Sequence, residues 1–166
     1  ERFREAGRPV SWTSGAVVLA EPAESSNDSP LSLYYGLGRA AQGASGTTEQ
    51  EFLDLLGVDN RDELAKASGK LYRLLYTDNE IGQLKLADSL WMSRKSEFKE
   101  DFMQTAQDDF YSDLFLVDFG AEETGKVMGE WIAEHTNGTL APQLVTSEED
   151  VLAVLNTVYL YDEWSN

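Results

Sequence analysis

The sequence predicts an α+β fold whose main sheet needs more strands than this chain supplies. Three observations carry that reading. Between residues 29 and 77 apolar side chains recur at helical spacing, with capping residues and glycines between the segments. From residue 83 onward, helical segments alternate with strand-like runs at 83–93, 114–119 and 151–161. The last run lies in VLAVLNTVYLYDEW (Val151–Trp164), the most apolar stretch of the protein. It reads as a strand covered on both faces in the middle of a large sheet, and two other strands cannot bury it.

The segment AEPAESSNDSP, residues 20–30, reads as a loop or insertion. NDSPLSLYYGLGRAAQGASG follows as a helix, with Ser29 as cap, Pro30 in the first turn and Gly43 or Gly46 at its end. Its small residues, Gly36, Gly38, Ala40 and Ala41 among them, permit close packing, so it is expected to be central and buried. TTEQEFLDLLG has Thr48 and Glu51 at capping-box spacing and stops at Gly57. NRDELAKASGKLYRLLY repeats the pattern with Asn60 and Glu63, its apolar face running through Leu64, Ala67, Leu71 and Leu74 or Leu75. QLKLADSLWMS has strand character. Phe98, Phe102, Ala106 and Phe110 then recur every four residues, which marks a helix face. LFLVDFG (114–120) is a short strand, and EETGKVMGEWIAEHTNG is a helix with Val127, Met128, Trp131 and Ile132 inward and Gly138 at its end.

At 166 residues the chain fits one domain, and 42% hydrophobic content supports a packed core. No apolar run is long enough to span a bilayer, and no signal peptide is visible in the opening ERFREAG, which leaves open one removed before Glu1. The absence of cysteine excludes disulfides, thiolate zinc sites and thiol nucleophiles. The net charge is −17, and residues 101–166 hold 14 Asp and Glu against one Lys. Such a field disfavours nucleic acid and anionic membranes as partners.

The order and wording of these pieces resemble the N-terminal half of a serpin, the serine protease inhibitor family. SPLSLYYGLGRAAQGASGTT (29–48), LKLADSLWM (84–92), FYSDLFLVDF (110–119), WIAEHTNGTL (131–140) and VLAVLNTVYLYDEW (151–164) match five motifs in the family's order. There are departures. The approach to the SP pair, ESSND, shows no strand; the family's YFKGxW is YLYDEW; and the Asn of its L-x-x-A-N strand is Asp88.

The resemblance implies an α+β serpin fold in its N-terminal portion. This portion comprises helices B to F plus strands 1, 2 and 3 of sheet A, and the remainder of the fold is absent from this chain. Residues 47–57 and 61–77 would be helices C and D, and 122–138 helix F. Residues 84–92, 114–119 and 151–161 would be strands 2, 1 and 3 of sheet A. Residues 1–166 would then be the N-terminal half of a single serpin domain.

A lone Asn in a buried strand must find partners or costs on the order of 1–3 kcal/mol. The plain reading is that Asn156 bonds a neighbouring backbone. The resemblance assigns it instead to the shutter, a polar cluster under sheet A, together with Ser29 and Ser32; Ser29 can also be only a helix cap. Trp164 matches the breach, where strand insertion begins, or is a large core residue. Lys66, Lys70 and Arg73, at i, i+4 and i+7, form a candidate polyanion face on helix D, with Arg2, Arg4 and Arg8 as neighbours; scattered solubilising charges are the alternative. Sequons lie at Asn27 and Asn137.

The implied activity is suicide inhibition of a serine or cysteine protease, with the cleaved loop inserting beside strand 3. Enzyme chemistry is not expected. His135 is the sole histidine, at a helix end where a solvent-facing position is ordinary, and GxSxG, P-loop and HExxH patterns are absent. The acidic pairs lack calcium-loop spacing, so no cofactor or metal is expected. The expected partners are a target protease and the missing C-terminal half. The expected setting is extracellular, with the cytoplasm open. Two alternatives stand beside this: a non-inhibitory serpin (carrier, chaperone or storage protein), and a free-standing acidic binding domain.

Overall fold

A computed structural model of the chain describes residues 29–163. The chain divides into two compact units, residues 1–70 and 71–166.

In the first unit, α1 (Pro30–Gly43) starts as its sequence dictates. Ser29 Oγ accepts the Ser32 N–H at 3.3 Å, and Pro30 fills a first-turn position that needs no donor. α2 (Thr47–Leu56) departs from the expected capping box. Its N-cap is Gly46, with no side-chain cap, and the helix begins one residue before Thr48. Its stop at Gly57, in the left-handed region at φ +69°, is as expected. Asn60 Oδ1 accepts the Glu63 N–H at 2.9 Å and starts α3 (Arg61–Leu75), which runs on into the second unit.

Tyr34, Ala41, Leu53, Leu56 and Leu64 form the first core, with Leu37, Phe52 and Val58 packed against it. Gln42 and Arg61 exchange side-chain-to-carbonyl hydrogen bonds, both at 3.1 Å. The Tyr35 hydroxyl donates to the Ser68 carbonyl at 2.9 Å. The buried stripe of α3 is Leu64, Ala65, Ser68 and Gly69; of the predicted face Leu64 is buried and Ala67, Leu71 and Leu75 are half-buried. Leu74 sits about 150° around the helix from that stripe and is 75% exposed.

The second unit is a four-stranded sheet with two helices. β1 (Thr77–Asp78), which the sequence did not reveal, and β2 (Gly82–Ser93) pair antiparallel. α4 (Glu100–Asp108) follows, with Ala106 and Phe110 buried as predicted. β3 (Ser112–Val117) lies parallel to the end of β2, from Asp88↔Ser112 to Ser93↔Val117. α5 (Glu122–His135) leads to β4 (Leu152–Asp162), antiparallel to β2 from Gly82↔Asp162 to Met92↔Leu152. β1 and β3 thus share one edge of β2, and β4 takes the other.

One sheet face is closed by α5. Trp91, Phe119, Met128 and Trp131 form its core, with Phe115, Ala153 and Leu155 packed against it. The Trp91 and Phe115 rings stack at 4.1 Å. Val127, expected inward, is 37% exposed. Residues 136–151 return across α5, laying the carbonyls of Pro142 and Leu144 against Gly129 and Gly125, where any Cβ would collide with them. Thr146 Oγ1 accepts the Gly120 N–H at 3.1 Å and pins this segment.

The expectation that β4 is covered on both faces is corrected. Thr157 is its one buried residue, and Leu160 is 71% exposed. Among the described residues β4 has a neighbour on one edge alone. An apolar strand cannot be enclosed by one flanking strand and one helix.

Candidate functional site

The predicted polar strand residue sits in a rung that crosses three strands. Asn156 opposes Asp88, and Asp88 opposes Ser112. Opposed residues of a pleated sheet point to the same face, so the three side chains share one side. Asp88 is 2% exposed and Ser112 5%. Asn156 Nδ2 donates to Asp88 Oδ1 at 2.6 Å, the short distance of a hydrogen bond to a carboxylate. This replaces the plain reading of a bond to a neighbouring backbone. Asn156 Oδ1 and Thr157 Oγ1, both buried, have no hydrogen-bond partner among the described residues. Along β2 the rung is flanked by Leu86 and Leu90, both buried.

Burying one tryptophan removes roughly 150–250 Å² from water, at about 25 cal/mol per Å². The net value of one hydrogen bond is nearer 1 kcal/mol. The tryptophan face therefore holds the sheet together. The rung contributes less energy and more geometry: it specifies which residues of β2 and β4 face each other.

Ser29 and Ser32 belong to the first unit. Their hydroxyls meet at 2.9 Å, so the cap role of Ser29 is shown, together with a contact to its predicted companion. Asn156 belongs to the second unit. Trp164, Arg2, Arg4, Arg8 and Asn27 lie outside the described residues. Lys66, Lys70 and Arg73 are exposed on α3. Lys66 and Lys70 border a shallow hollow that also includes Asp62 and Glu63, which dilute its positive charge. Arg73 donates to the Tyr111 hydroxyl.

His135 is half-buried rather than solvent-facing. It stacks on Trp131 at 4.2 Å, and its Nδ1 lies 2.8 Å from the Trp131 carbonyl oxygen. The Tyr34 phenol is pushed up to about 12, first by burial and then by Glu63, with its hydrogen bond to Ser68 acting in the opposite direction. No described helix is long and apolar enough to cross a membrane.

Sequence reasoning missed Asp88 as the partner of Asn156. The signal was present as a departure from the family's strand motif, one position where the usual amide is an acid. Nothing local pointed to Ser112, because it enters the rung through a parallel pairing across a helix.

In the second unit, a central β2 flanked by β3 and β4, with α5 across one sheet face, matches the N-terminal part of a serpin fold. The family model for Serpin (serine protease inhibitor) matches residues 16–166, and the chain belongs to the serpin family. A serpin-Z6A sequence of Oryza sativa subsp. japonica is 34% identical over 143 residues, covering 82% of this chain and 36% of that one. The plasma serine protease inhibitor of Bos taurus is 25% identical over 155 residues, covering 90% and 38%. The thermophilic serpin tengpin in its latent state superposes with a TM-score of 0.86 at 26% identity, covering 98% of this chain and 44% of that one. Arabidopsis AtSerpin1 in its native stressed conformation gives 0.83 at 24% identity, covering 95% and 44%, a likeness of fold. The chain spans 36% and 38% of the length of these two curated relatives. In serpin terms α1 to α5 are helices B to F, and β3, β2 and β4 are strands 1, 2 and 3 of sheet A.

Proposed function

We propose that this chain is the sheet-opening portion of a protease inhibitor that acts by the serpin suicide mechanism. A serine or cysteine protease attacks a loop outside this chain and becomes acylated. The cleaved loop then adds as a strand beside β4. Serpin family membership supports inhibition at the family level. The observation that carries the finer reading is β4 itself. It is apolar along its length and hydrogen-bonded on one edge, and the Asn156–Asp88 rung lies midway along it. Such an edge accepts another strand by backbone pairing. The reading extends to a secreted protein, in which the exposed sequon at Asn137 is open to glycosylation.

The test uses the complete protein that contains this chain. Denatured intact mass first establishes what accompanies residues 1–166. Incubation with a panel of serine and cysteine proteases then follows, read on denaturing gels. A complex that survives SDS, and that fails to form with a protease whose nucleophile is replaced by Ala, is expected. Clean cleavage of the loop without a retained complex favours a non-inhibitory serpin. A single folded species at this chain's own mass excludes strand insertion and favours the acidic binding domain.

A further inference from the structure

We propose that the return segment and the outer flank of α5 form a docking groove for an extended basic peptide. The groove has a volume of about 700 Å³. Lys126, Gly129 and Ala133 line its helix side, and Ala141 to Val145 form the other side. The small side chains of Gly129 and Ala133 leave room beside the segment.

The segment is laid out as a strand with no strand beside it. Its Leu144 carbonyl lies against Gly125 and its Pro142 carbonyl against Gly129. Four helix residues rise about 6 Å, and two residues of extended chain span about 6.6 Å. The segment therefore runs extended and antiparallel to α5. In an extended chain, successive residues turn their backbone N–H and C=O groups to opposite edges. With Pro142 and Leu144 turned to the helix, Ala141, Gln143 and Val145 turn theirs away from it. Backbone hydrogen bonds stand at either end, from the Leu140 N–H to Thr136 Oγ1 at 3.2 Å and from the Ser147 N–H to Asp150 Oδ2 at 2.7 Å. Among the described residues none falls between Ala141 and Val145. The Val145 side chain is 97% exposed. An open main-chain edge beside a groove captures an extended peptide: backbone pairing supplies affinity, and alternate side chains supply specificity.

Charge selects the occupant. Glu122, Glu123 and Glu130 border the groove against one lysine, and Lys126 is shared between Glu123 at 3.7 Å and Glu130 at 3.9 Å. An acidic peptide is repelled, and a neutral one gains the backbone bonds alone. Every second residue of a strand points to the same flank. A peptide with arginine or lysine at alternate positions therefore sets all of its cations on the groove side, complementary to the glutamates.

The experiment uses the complete protein and a fluorescein-labelled, end-blocked peptide of alternating arginine and valine, followed by anisotropy. Saturable binding is expected, with none for the matching glutamate–valine peptide. N-methylation of the peptide's alternate amides keeps its charge but removes backbone donors, and is expected to weaken binding about tenfold or more. Val145→Pro deletes an N–H that the fold leaves unused and is expected to weaken binding about two- to tenfold. Glu122→Gln combined with Glu130→Gln is expected to weaken it about two- to fivefold. Glu100→Gln, on α4, leaves the affinity unchanged. Bound peptide also slows proteolysis between residues 141 and 147. An N-methylated peptide that binds as tightly as its parent shows attraction to an acidic surface and nothing more, and overturns the proposal. So does an affinity that Val145→Pro leaves intact. Protease inhibition is not part of the readout, so the outcome is independent of the inhibitory reading.

Discussion

β2 and β4 lie side by side over the whole length of β4, yet one is enclosed and the other is half bare. The last six residues of β2 are all buried, including Asp88, Ser89 and Ser93. β4 has the more apolar sequence and a single buried residue. The difference teaches that burial follows neighbours rather than composition. β2 has a strand on each edge and α5 across one face, so even its polar residues are covered. β4 has a strand on one edge, so its leucines and tyrosines meet solvent.

The sharpest way to break this contrast is to remove matching apolar side chains from each strand. Trp91→Ala is expected to cost about 3–5 kcal/mol, the usual loss for a buried tryptophan, read by chemical denaturation. Leu160→Ala stands at the other end of the scale. Next in size is the rung that joins the strands. Asn156→Leu removes the donor to Asp88 and leaves that carboxylate against leucine, a loss of about 1–3 kcal/mol. Asp88→Asn, in an otherwise native protein, keeps an acceptor for Asn156 without the charge and is expected to cost less than Asn156→Leu. If Asn156→Leu is silent, the rung contributes nothing measurable.

Gly125→Ala tests why one face of the sheet is closed. A methyl group there meets the Leu144 carbonyl, so the return segment must lift, at about 1–3 kcal/mol. Faster proteolysis between residues 141 and 147 is the accompanying readout.

A smaller effect appears in alkali. The Tyr72 phenol titrates near pH 12 in the folded protein and near 10 when unfolded. The unfolded chain gives up its proton first, so the stabilising contribution is complete below about pH 10 and fades as pH rises toward 12. Thermal melts across that window are expected to fall for the native protein, and less steeply for Tyr72→Phe. Leu160→Ala, at 71% exposure, is expected to shift stability by less than about 0.5 kcal/mol. A loss as large as that of Trp91→Ala would show that Leu160 is covered in the working protein.

Much of this architecture was legible in the residues. Ser29, Asn60 and Gly57 announced helix ends because capping chemistry is local. Phe110, Met128 and Trp131 were found by periodicity, which needs only their own helix. Of the pair Leu74 or Leu75, Leu75 is the half-buried one, while Leu74 and Val127 are exposed, because apolar spacing names a face and the neighbouring element decides how far round it the burial reaches. β1 was invisible because two residues have no period. Asn156 stood out as one amide among apolar residues, but its partner lies 68 residues away, beyond the reach of any local pattern.

The rung has a further consequence for how β4 finds its place. A strand that alternates polar and apolar residues cannot slip by one position without turning its core face outward. β4 has no such safeguard: from Leu152 to Tyr161 apolar side chains occupy both faces, so a shifted ladder exposes little more than the native one. A slip of two residues, which preserves the faces, sets Asn156 opposite Leu86 or Leu90 and leaves Asp88 opposite Val154 or Val158. Of these alignments the native one alone lets amide and carboxylate meet, so this pair acts as an index mark for two long strands that could otherwise be threaded in several ways.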